Sequence, residues 1–540
     1  MTRFILAIDQ GTSSSRAAVV DEAGVVRAIA QEPIGISYPQ PGWVNQDAVE
    51  LWEVTRRVAE RALSEAAIDR LAAIGITNQR ETTILWQRAT GKPITPAIVW
   101  QSRQSAEIVQ RVVDGGHAER IVQITGLTPD AYFSASKIAW LLETQPELRP
   151  RVEAGDLAFG TVDSWLVWNL TGGKRHVTDA TNSARTMLFD IHANAWSDEL
   201  LSLFGVPKAL LPDVVDSIGV SLAVEPSVFG REVSVTGIAG DQHAALFGQA
   251  CFQPGQAKNT YGTGSFMLMN TGRESVPSRN KLLSTLAWRD RGVTTYALEG
   301  AVFVTGSAVQ WLRDGLGIIE TAAEIEELAG SVDDSGGVVF VPALTGLGAP
   351  DWDPSARGAI VGVTRGTTRA HLARAALEGI ACQTKDVLDA MGEDAGEPVS
   401  ELRVDGGASQ NDLLMQIQAD LLGVPVLDPG HPAKEIGHLA VVVHLHGVGE
   451  FGVALRGLDL HLERLLHELG QRAGRFRTGA AHSVNSASSS AMLRRVPRGP
   501  RRYGVRSPVY STPMLKPSSV MRRRAACAAS PVGPTGDGRA

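Results

Sequence analysis

Residues 4–20 and 258–269 share one pattern: an apolar strand, a turn of glycine and hydroxyl residues, and a second strand. The first runs Phe4-Ile5-Leu6-Ala7-Ile8, then Asp9-Gln10-Gly11-Thr12-Ser13-Ser14-Ser15-Arg16, then Ala17-Ala18-Val19-Val20. The second turns at Tyr261-Gly262-Thr263-Gly264-Ser265 and leaves through Phe266-Met267-Leu268-Met269. Backbone N–H groups and hydroxyls in such a turn can ring a phosphate, although an ordinary polar hairpin fits the first turn about equally well. Asp9 is the natural magnesium partner there, because Mg²⁺ prefers one or two carboxylates with waters and phosphate oxygens. Two such hairpins, each opening an α/β half, predict a duplicated architecture with phosphates held between the halves. No GxxxxGK[ST] loop occurs, so a nucleotide needs another device to hold it.

The segments between the hairpins alternate strand and helix, as in an α/β domain. Ala48 to Ala67 has Leu51, Val54, Val58 and Ala62 on one helical stripe. Leu71 to Thr77 reads as a buried strand ending in the polar run Asn78-Gln79-Arg80-Glu81-Thr82-Thr83, before Ile84-Leu85-Trp86. A polar run between two apolar strands is site-like, yet Arg80-Glu81 alone reads more readily as a surface ion pair worth under about 1 kcal/mol. Ile98-Val99-Trp100-Gln101 is a further strand end with a large aromatic, and Tyr132 opens a loop that becomes an amphipathic helix. Val233, Val235 and Ile238 favour a strand, Gly237 and Gly240 permit a turn, and a helix follows from Ala244. Asp241 at that turn is placed either to serve a bound substrate or merely to cap the helix. Residues 301–312 read as a loop entering a helix, 340–350 as a Gly/Pro-rich loop, and 371–391 as a long amphipathic helix. Gly406-Gly407, between a strand and the helix 412–422, lets backbone lie flat on a planar ligand such as adenine, or is an ordinary turn.

A chain of 540 residues is too long for one core, so two or more domains are expected. Hydrophobic residues make up 44% and charged ones 20%, the composition of a soluble globular protein. The N-terminal apolar run is too short for a signal peptide, and no stretch has the length of a membrane span. Cys251, Cys382 and Cys527 are scattered and odd in number, which suggests a reducing compartment, no zinc site and a cytoplasmic protein. From Gln471 onward fourteen Lys and Arg face the single acid Asp537. The body before it is acidic, which argues against nucleic acid as a partner. The tail, with few apolar residues, reads as disordered after about residue 470.

Taken together, Asp9-Gln10-Gly11-Thr12, Thr77 to Thr83, Tyr132-Phe133-Ser134, Gly237 to Gln242, Tyr261 to Gly264 and Val404 to Ala408 resemble the FGGY carbohydrate kinases of the actin–hexokinase superfamily. The Arg-Glu-Thr-Thr segment and Met-Leu-Met-Asn at 267–270 point to their glycerol kinase branch. The resemblance covers residues 4–427. It implies two actin-like (ribonuclease H-like) domains with a cleft between them: 1–250 with the acceptor site and first phosphate loop, and 251–427 on the nucleotide side. It implies transfer of the γ-phosphoryl group of ATP, with Mg²⁺, to glycerol, giving sn-glycerol 3-phosphate. Asp241 matches the family's general base. Arg80, Glu81, Tyr132 and Asp241, with Gln242, match the groups around the glycerol hydroxyls, and Trp100 and Phe266 match aromatics against its carbons. Thr12, Ser13, Ser14 and Arg16 match the first phosphate loop, and Asp9 the residue near magnesium. Thr263, Gly306, Gln310, Gly407 and Asn411 match nucleotide contacts. Glycerol and ATP are then the partners, with a homo-oligomer possible. The intact acceptor set weighs against a kinase for another polyol or sugar, and against an actin-like module that works only through partners.

After Val424-Pro425-Val426-Leu427 the chain departs from the family pattern. No threonine pair follows Glu435, and residues 455–469 do not resemble the expected Gly/Ala-rich helix. Such a break within a domain suggests out-of-frame sequence beginning between Asp428 and Ile436, and a second domain that is incomplete on its nucleotide side. A catalytically impaired remnant is the alternative this raises.

Overall fold

The computed structural model describes residues 3–68, 70–428 and 500–505. Its first hairpin pairs β1 (Phe4–Gln10) with β2 (Ser14–Asp21), Asp9 opposite Arg16 and Gln10 opposite Ser15. Ile5 to Ile8 and Ala17 to Val20 are all buried, so the strands are covered on both faces, which explains apolar runs without alternation. The Gly11 N–H closes the turn onto the Ser14 carbonyl at 3.0 Å. β3 (Val26–Pro33) continues the sheet antiparallel to β2.

Helix α1 (Ala48–Ala66) starts where the Asp47 carboxylate accepts the Val49 N–H at 2.7 Å and the Glu50 N–H at 3.4 Å, a cap worth about 1 kcal/mol. The expected stripe of Leu51, Val54, Val58 and Ala62 is buried, packed on β2 and β3. β4 (Leu71–Asn78) returns parallel to β1. Helices α2 (Ser134–Thr144) and α3 (Val162–Leu170) and the single turn α4 (Ala180–Ser183) follow, then β5 (Ile218–Ala223) and β6 (Ser234–Gly240), which is parallel to β4. Helix α5 (Asp241–Gly248) leads to the second half: β7 (Gln256–Tyr261), β8 (Ser265–Gly272), β9 (Leu283–Asp290), β10 (Val293–Val302), α6 (Gly306–Asp314), α7 (Arg369–Ala395), β11 (Glu401–Gly406), α8 (Asp412–Leu422) and β12 (Val426–Asp428).

The two halves have one topology. The order β3-β2-β1-β4-β6 in the first is matched by β10-β8-β7-β11-β12 in the second. In each, the opening hairpin and its third strand are antiparallel, and two further strands add in parallel. The duplicated architecture expected from the two hairpins is therefore present. β9 and β5 join the halves, with Ile218 opposite Asp290. Separate cores lie beneath each half, and a third fills the helical layer around Phe133, Leu141 and Leu200.

Four local expectations change. Phe340 and Val341, read as loop, belong to a short strand (Val339–Val341) and pair with Ile360 and Ala359. Of residues 98–101 only Ile98 is strand, with Ala97 before it, and Trp100 lies in a turn. Ala301 and Val302 are not loop but the end of β10, because they pair with Phe266 and Ser265 of β8. Of the tail expected to be disordered, Arg501–Tyr503 form a short strand, β13, antiparallel to β12. It is anchored by the Tyr503 hydroxyl, which donates to Asp412 Oδ1 at 2.7 Å. The proposed frame change and the remainder of the tail lie outside the described residues.

Candidate active site

Strand register brings the predicted residues to one edge. Gln10 at the end of β1, Asn78 at the end of β4 and Gly240 at the end of β6 lie side by side. Carboxyl ends of parallel strands are where α/β sheets hold ligands. The run after β4 is no surface loop, since Asn78 to Thr83 are all at most 3% exposed. The surface ion-pair reading of Arg80-Glu81 therefore fails. Glu81 stands at a φ of 58° inside a tight turn closed by the Thr82 N–H on the Arg80 carbonyl at 2.7 Å. A non-glycine residue there carries about 1–3 kcal/mol of strain, which clusters at functional sites.

Four buried charges alternate around this turn. Arg80 donates through Nη1 to Glu299 Oε2 at 2.6 Å and through Nη2 to Oε1 at 2.9 Å. Arg185 donates through Nη2 to Glu299 Oε1 at 3.1 Å and through Nε to Glu81 Oε1 at 2.7 Å. Asp241 approaches from α5, with Oδ1 3.2 Å from Arg80 Nε, and its carboxyl is 28% exposed. Burial works against charge on Glu299, but Arg185 and Arg80 outweigh it and hold its carboxyl far below the usual carboxylate range. For Glu81 burial prevails over Arg80 and Arg185 and its carboxyl is pushed up. Asp241 is the first residue of its helix and Gly240 occupies the cap position. Its Oδ1 takes the adjacent Gln242 N–H at 2.7 Å. Capping thus does not account for this acid.

A polar chain fixes the strand end behind it. The Gly240 N–H donates to Thr181 Oγ1 at 2.9 Å, and that hydroxyl donates to Asp179 Oδ1, also at 2.9 Å. On the open side, the Tyr132 ring meets Trp100 edge-on at 5.4 Å between centroids. Its hydroxyl is 3.5 Å from Arg80 Nη2, and the Trp100 Nε1–H donates to Thr12 Oγ1 at 2.9 Å. The buried Lys137 gathers the carbonyls of Ala131, Tyr132 and Phe133 at 2.7, 2.5 and 3.2 Å, which sets the loop that carries Tyr132. Lys258, on β7 of the second half, bonds the Gln242 side-chain carbonyl and the backbone carbonyl of half-buried Phe266.

The hairpin turns supply a different chemistry. In the first, Ser13 is exposed, Ser14 Oγ accepts from Gln31 Nε2 at 2.8 Å, and Arg16 Nε is buried without a protein acceptor. In the second, Gly306 donates its N–H to the Gly262 carbonyl at 3.0 Å, so close that a Cβ would stand 2.5 Å from that oxygen. This contact brings exposed Thr263 to the start of α6 at half-buried Gly306, with exposed Gln310 about one turn further along the helix. Gly406, at a φ of 90°, passes beside Tyr261, where a Cβ would lie 2.3 Å from the Tyr261 carbonyl oxygen, whereas Gly407 faces open space. Asn411 spends its Oδ1 on the cap of α8, accepting the Leu414 N–H at 2.8 Å. An orphaned Arg16 donor and exposed hydroxyls fit a polyphosphate. Asp9, half-buried at the end of β1, fits a cation that takes its other ligands from phosphate and water. Among the described residues no cluster of three or more His, Cys, Asp or Glu could hold a metal.

Residues 4–248 match the N-terminal domain of the FGGY family of carbohydrate kinases, and residues 257–439 its C-terminal domain. The chain belongs to this family. The C-terminal match runs past Leu427, where the resemblance read from sequence stops. Among FGGY relatives, the chain is 59% identical over 428 residues to the glycerol kinase of Aromatoleum aromaticum, covering 79% of this chain and 86% of the relative. It is 56% identical over 429 residues to glycerol kinase 2 of Thermotoga maritima, with the same coverages. The fold matches the Plasmodium falciparum glycerol kinase with ADP at a TM-score of 0.80 and 31% identity, covering 89% of this chain and 99% of that one. A Lactobacillus acidophilus gluconate kinase shares the fold at a TM-score of 0.75 and 20% identity, over 84% and 92% of the two chains. The family is thus a kinase family with the two-domain actin-like fold. No helix among the described residues is long and apolar enough to cross a membrane.

Sequence reasoning missed Arg185, Lys258 and Glu299. Glu299 left one signal, an acid inside the apolar run Tyr296-Ala297-Leu298-Glu299-Gly300-Ala301-Val302. Arg185 and Lys258 sit in mixed polar stretches where nothing local sets them apart.

Proposed function

We propose that this chain is a glycerol kinase, transferring the γ-phosphoryl group of ATP, with Mg²⁺, to a terminal hydroxyl of glycerol. The observation that carries this reading is the convergence of Arg80, Glu81, Tyr132 and Asp241 on one buried-to-exposed boundary, in a chain most of whose length is akin to glycerol kinases. Asp241 takes the proton of the attacking hydroxyl, with its carboxylate aimed by the start of α5 and by Arg80. Arg80 and Glu81 bond the remaining hydroxyls with Tyr132 and Gln242, while Trp100 and Phe266 bound the carbon chain. A site that bonds each hydroxyl of a triol strongly rejects analogues lacking one. Thr12, Ser13, Ser14 and Arg16 meet the transferred phosphates from one half. Thr263, Gly306, Gln310, Gly407 and Asn411 hold the nucleotide from the other. Asp9 would hold the metal, which supplies charge neutralisation at the phosphates. Residues 1–250 form the acceptor half and 251–427 the nucleotide half of a cytoplasmic enzyme.

The purified chain with ATP, Mg²⁺ and glycerol should form glycerol 3-phosphate. Asp241→Asn should lower kcat by about 10²–10⁴-fold, the usual worth of a general base. A rate unchanged by that substitution refutes the assignment of Asp241, and no product from the parent chain refutes the activity.

A further inference from the structure

Glu299 belongs to the nucleotide half by topology and to the acceptor site by contact. It sits on β10, opposite Leu268 of β8, yet both its oxygens are spent on arginines of the other half: Oε2 on Arg80, and Oε1 on Arg80 and Arg185. All three side chains are at most 2% exposed. A two-pronged contact of this kind fixes the plane of a guanidinium as well as its position.

The alternatives open to Arg80 show what that plane decides. The other carboxylates around its guanidinium are Asp241, with Oδ1 3.2 Å from Nε, and Glu81, with Oε1 3.8 Å away. Both belong to the acceptor site of the reading above. With Glu299 in place, Nη1 and Nη2 are engaged and only the Nε edge faces Asp241. Without that charge, two buried cations, Arg80 and Arg185, would be left with Glu81 and Asp241 as their remaining counter-charges. A buried charge deprived of its partner is strongly destabilised and is drawn to whatever counter-charge remains within reach. Arg80 would then close on Asp241 and withdraw the carboxylate from a substrate hydroxyl. Arg185 would keep Glu81 but lose its tie to Arg80.

We propose that Glu299 is a positioning residue: by holding Nη1 and Nη2 of Arg80 it limits Arg80 to its Nε contact with Asp241, leaving the rest of that carboxylate to the acceptor, and it does so only while the two halves are packed together. The inference rests on the glycerol kinase reading.

The test compares the full chain with Glu299→Gln, which keeps the shape and removes the charge, and with Glu299→Asp, which keeps the charge one methylene short. Initial rates give KM for glycerol and for ATP, and calorimetry with glycerol alone gives affinity without turnover. Thermal unfolding checks that each variant is folded. Expected for Glu299→Gln are a glycerol KM and dissociation constant raised at least tenfold, a reduced kcat, and an ATP KM within twofold of the parent. Glu299→Asp should fall between the two. A structural role alone would lower the melting temperature and move both KM values together, and that outcome overturns the proposal, as does an unchanged glycerol KM in Glu299→Gln. If Glu299→Gln does not fold, Glu299→Asp carries the test by the same split. A parent chain that phosphorylates glycerol while the variants behave like it sinks this inference alone. A parent that neither binds nor phosphorylates glycerol sinks both.

Discussion

The ammonium of Lys258 is bonded to the side-chain carbonyl of Gln242, one residue beyond Asp241. The same group donates to Thr260 Oγ1 at 3.0 Å and to the Phe266 carbonyl at 3.2 Å. It therefore ties the start of α5 to the hairpin that carries Thr263. Burial pulls its pKa down to about 8, against the attraction of Asp405 and Asp241. Below that value the ion supplies a donor to each of three acceptors; above it a neutral amine has only two N–H groups. The rate should accordingly fall as pH rises through about 8. In Lys258→Met this alkaline limb should vanish, leaving a lower rate, about tenfold down for the loss of charge-assisted bonds worth roughly 1.5–3 kcal/mol. A pH–rate profile of both proteins from pH 6 to 9.5 decides it, and a step centred near pH 8 that survives in the variant assigns that titration elsewhere.

Gly240 has φ −59° and ψ 147°, a conformation that alanine adopts freely, so its need for glycine is steric. A Cβ there would stand 2.7 Å from both Cγ and Cδ of Arg80. Gly240→Ala should displace Arg80 and raise the glycerol KM roughly tenfold or more, since a misplaced positioning group of about 1 Å can cost 10²-fold. The ATP KM should stay put. Equal changes in both constants would mean that the sheet edge as a whole has shifted.

Much of the fold and part of the site could be read from local pattern. The hairpins, the stripe of α1 and the strand before Asp241 depend on residues adjacent in sequence or one turn apart, where burial imposes a period. The acceptor residues came from motif resemblance, and the structure adds why Arg80 and Glu81 differ from a surface pair: they are buried beneath a strained turn. What stayed hidden depends on long-range pairing. β9 and β10 carry polar residues such as Thr285 and Glu299, whose partners His243, Arg80 and Arg185 lie in the first half. Glu299 meets Arg80 across more than two hundred residues of chain. No spacing rule encodes such a contact. Trp100 shows the converse: its apolar neighbours suggested a strand, but β-pairing stops at Ile98 and the indole N–H instead bonds Thr12.

The strand β13 covers the edge of β12, where exposed ladder groups would otherwise invite other chains. Tyr503 and Arg501 both bond Asp412, and the Gly504 carbonyl accepts from Gln416 Nε2 at 2.9 Å. Tyr503→Phe together with Arg501→Ala should lower stability by about 1–3 kcal/mol, one half-buried hydrogen bond to a carboxylate plus a partly exposed ion pair. Asp412 follows Asn411 directly, so the variant also asks whether the nucleotide side is affected. The expectation is a lower melting temperature with an unchanged glycerol KM. An unaltered melting temperature would show that β13 contributes nothing to the domain.

Asp163 and Asp179 lie buried in one network behind the site. Asp163 accepts from Thr161 Oγ1, Thr178 Oγ1 and the Asp179 N–H at 2.5, 2.8 and 3.2 Å. Burial first, and the Asp179 charge second, push its pKa up to about 7. The unfolded chain releases this proton near pH 4, so between those values the folded state binds more protons. A carboxyl raised in this way stabilises fully below its unfolded pKa, and that contribution is lost as pH climbs through the folded one. Urea denaturation should therefore find the protein less stable at pH 8 than at pH 5.5 by on the order of 1–3 kcal/mol from this group, taking 1.36 kcal/mol for each pK unit. Asp163→Asn should flatten that slope, because the amide has no proton to lose. Since Asp179 holds Thr181, and Thr181 holds the Gly240 N–H beside Asp241, the same titration should be felt in the rate as a separate decline centred near pH 7, distinct from the step near pH 8 that Lys258→Met removes. The double variant separates the two limbs: if it retains any decline between pH 7 and 8, a third group governs the site.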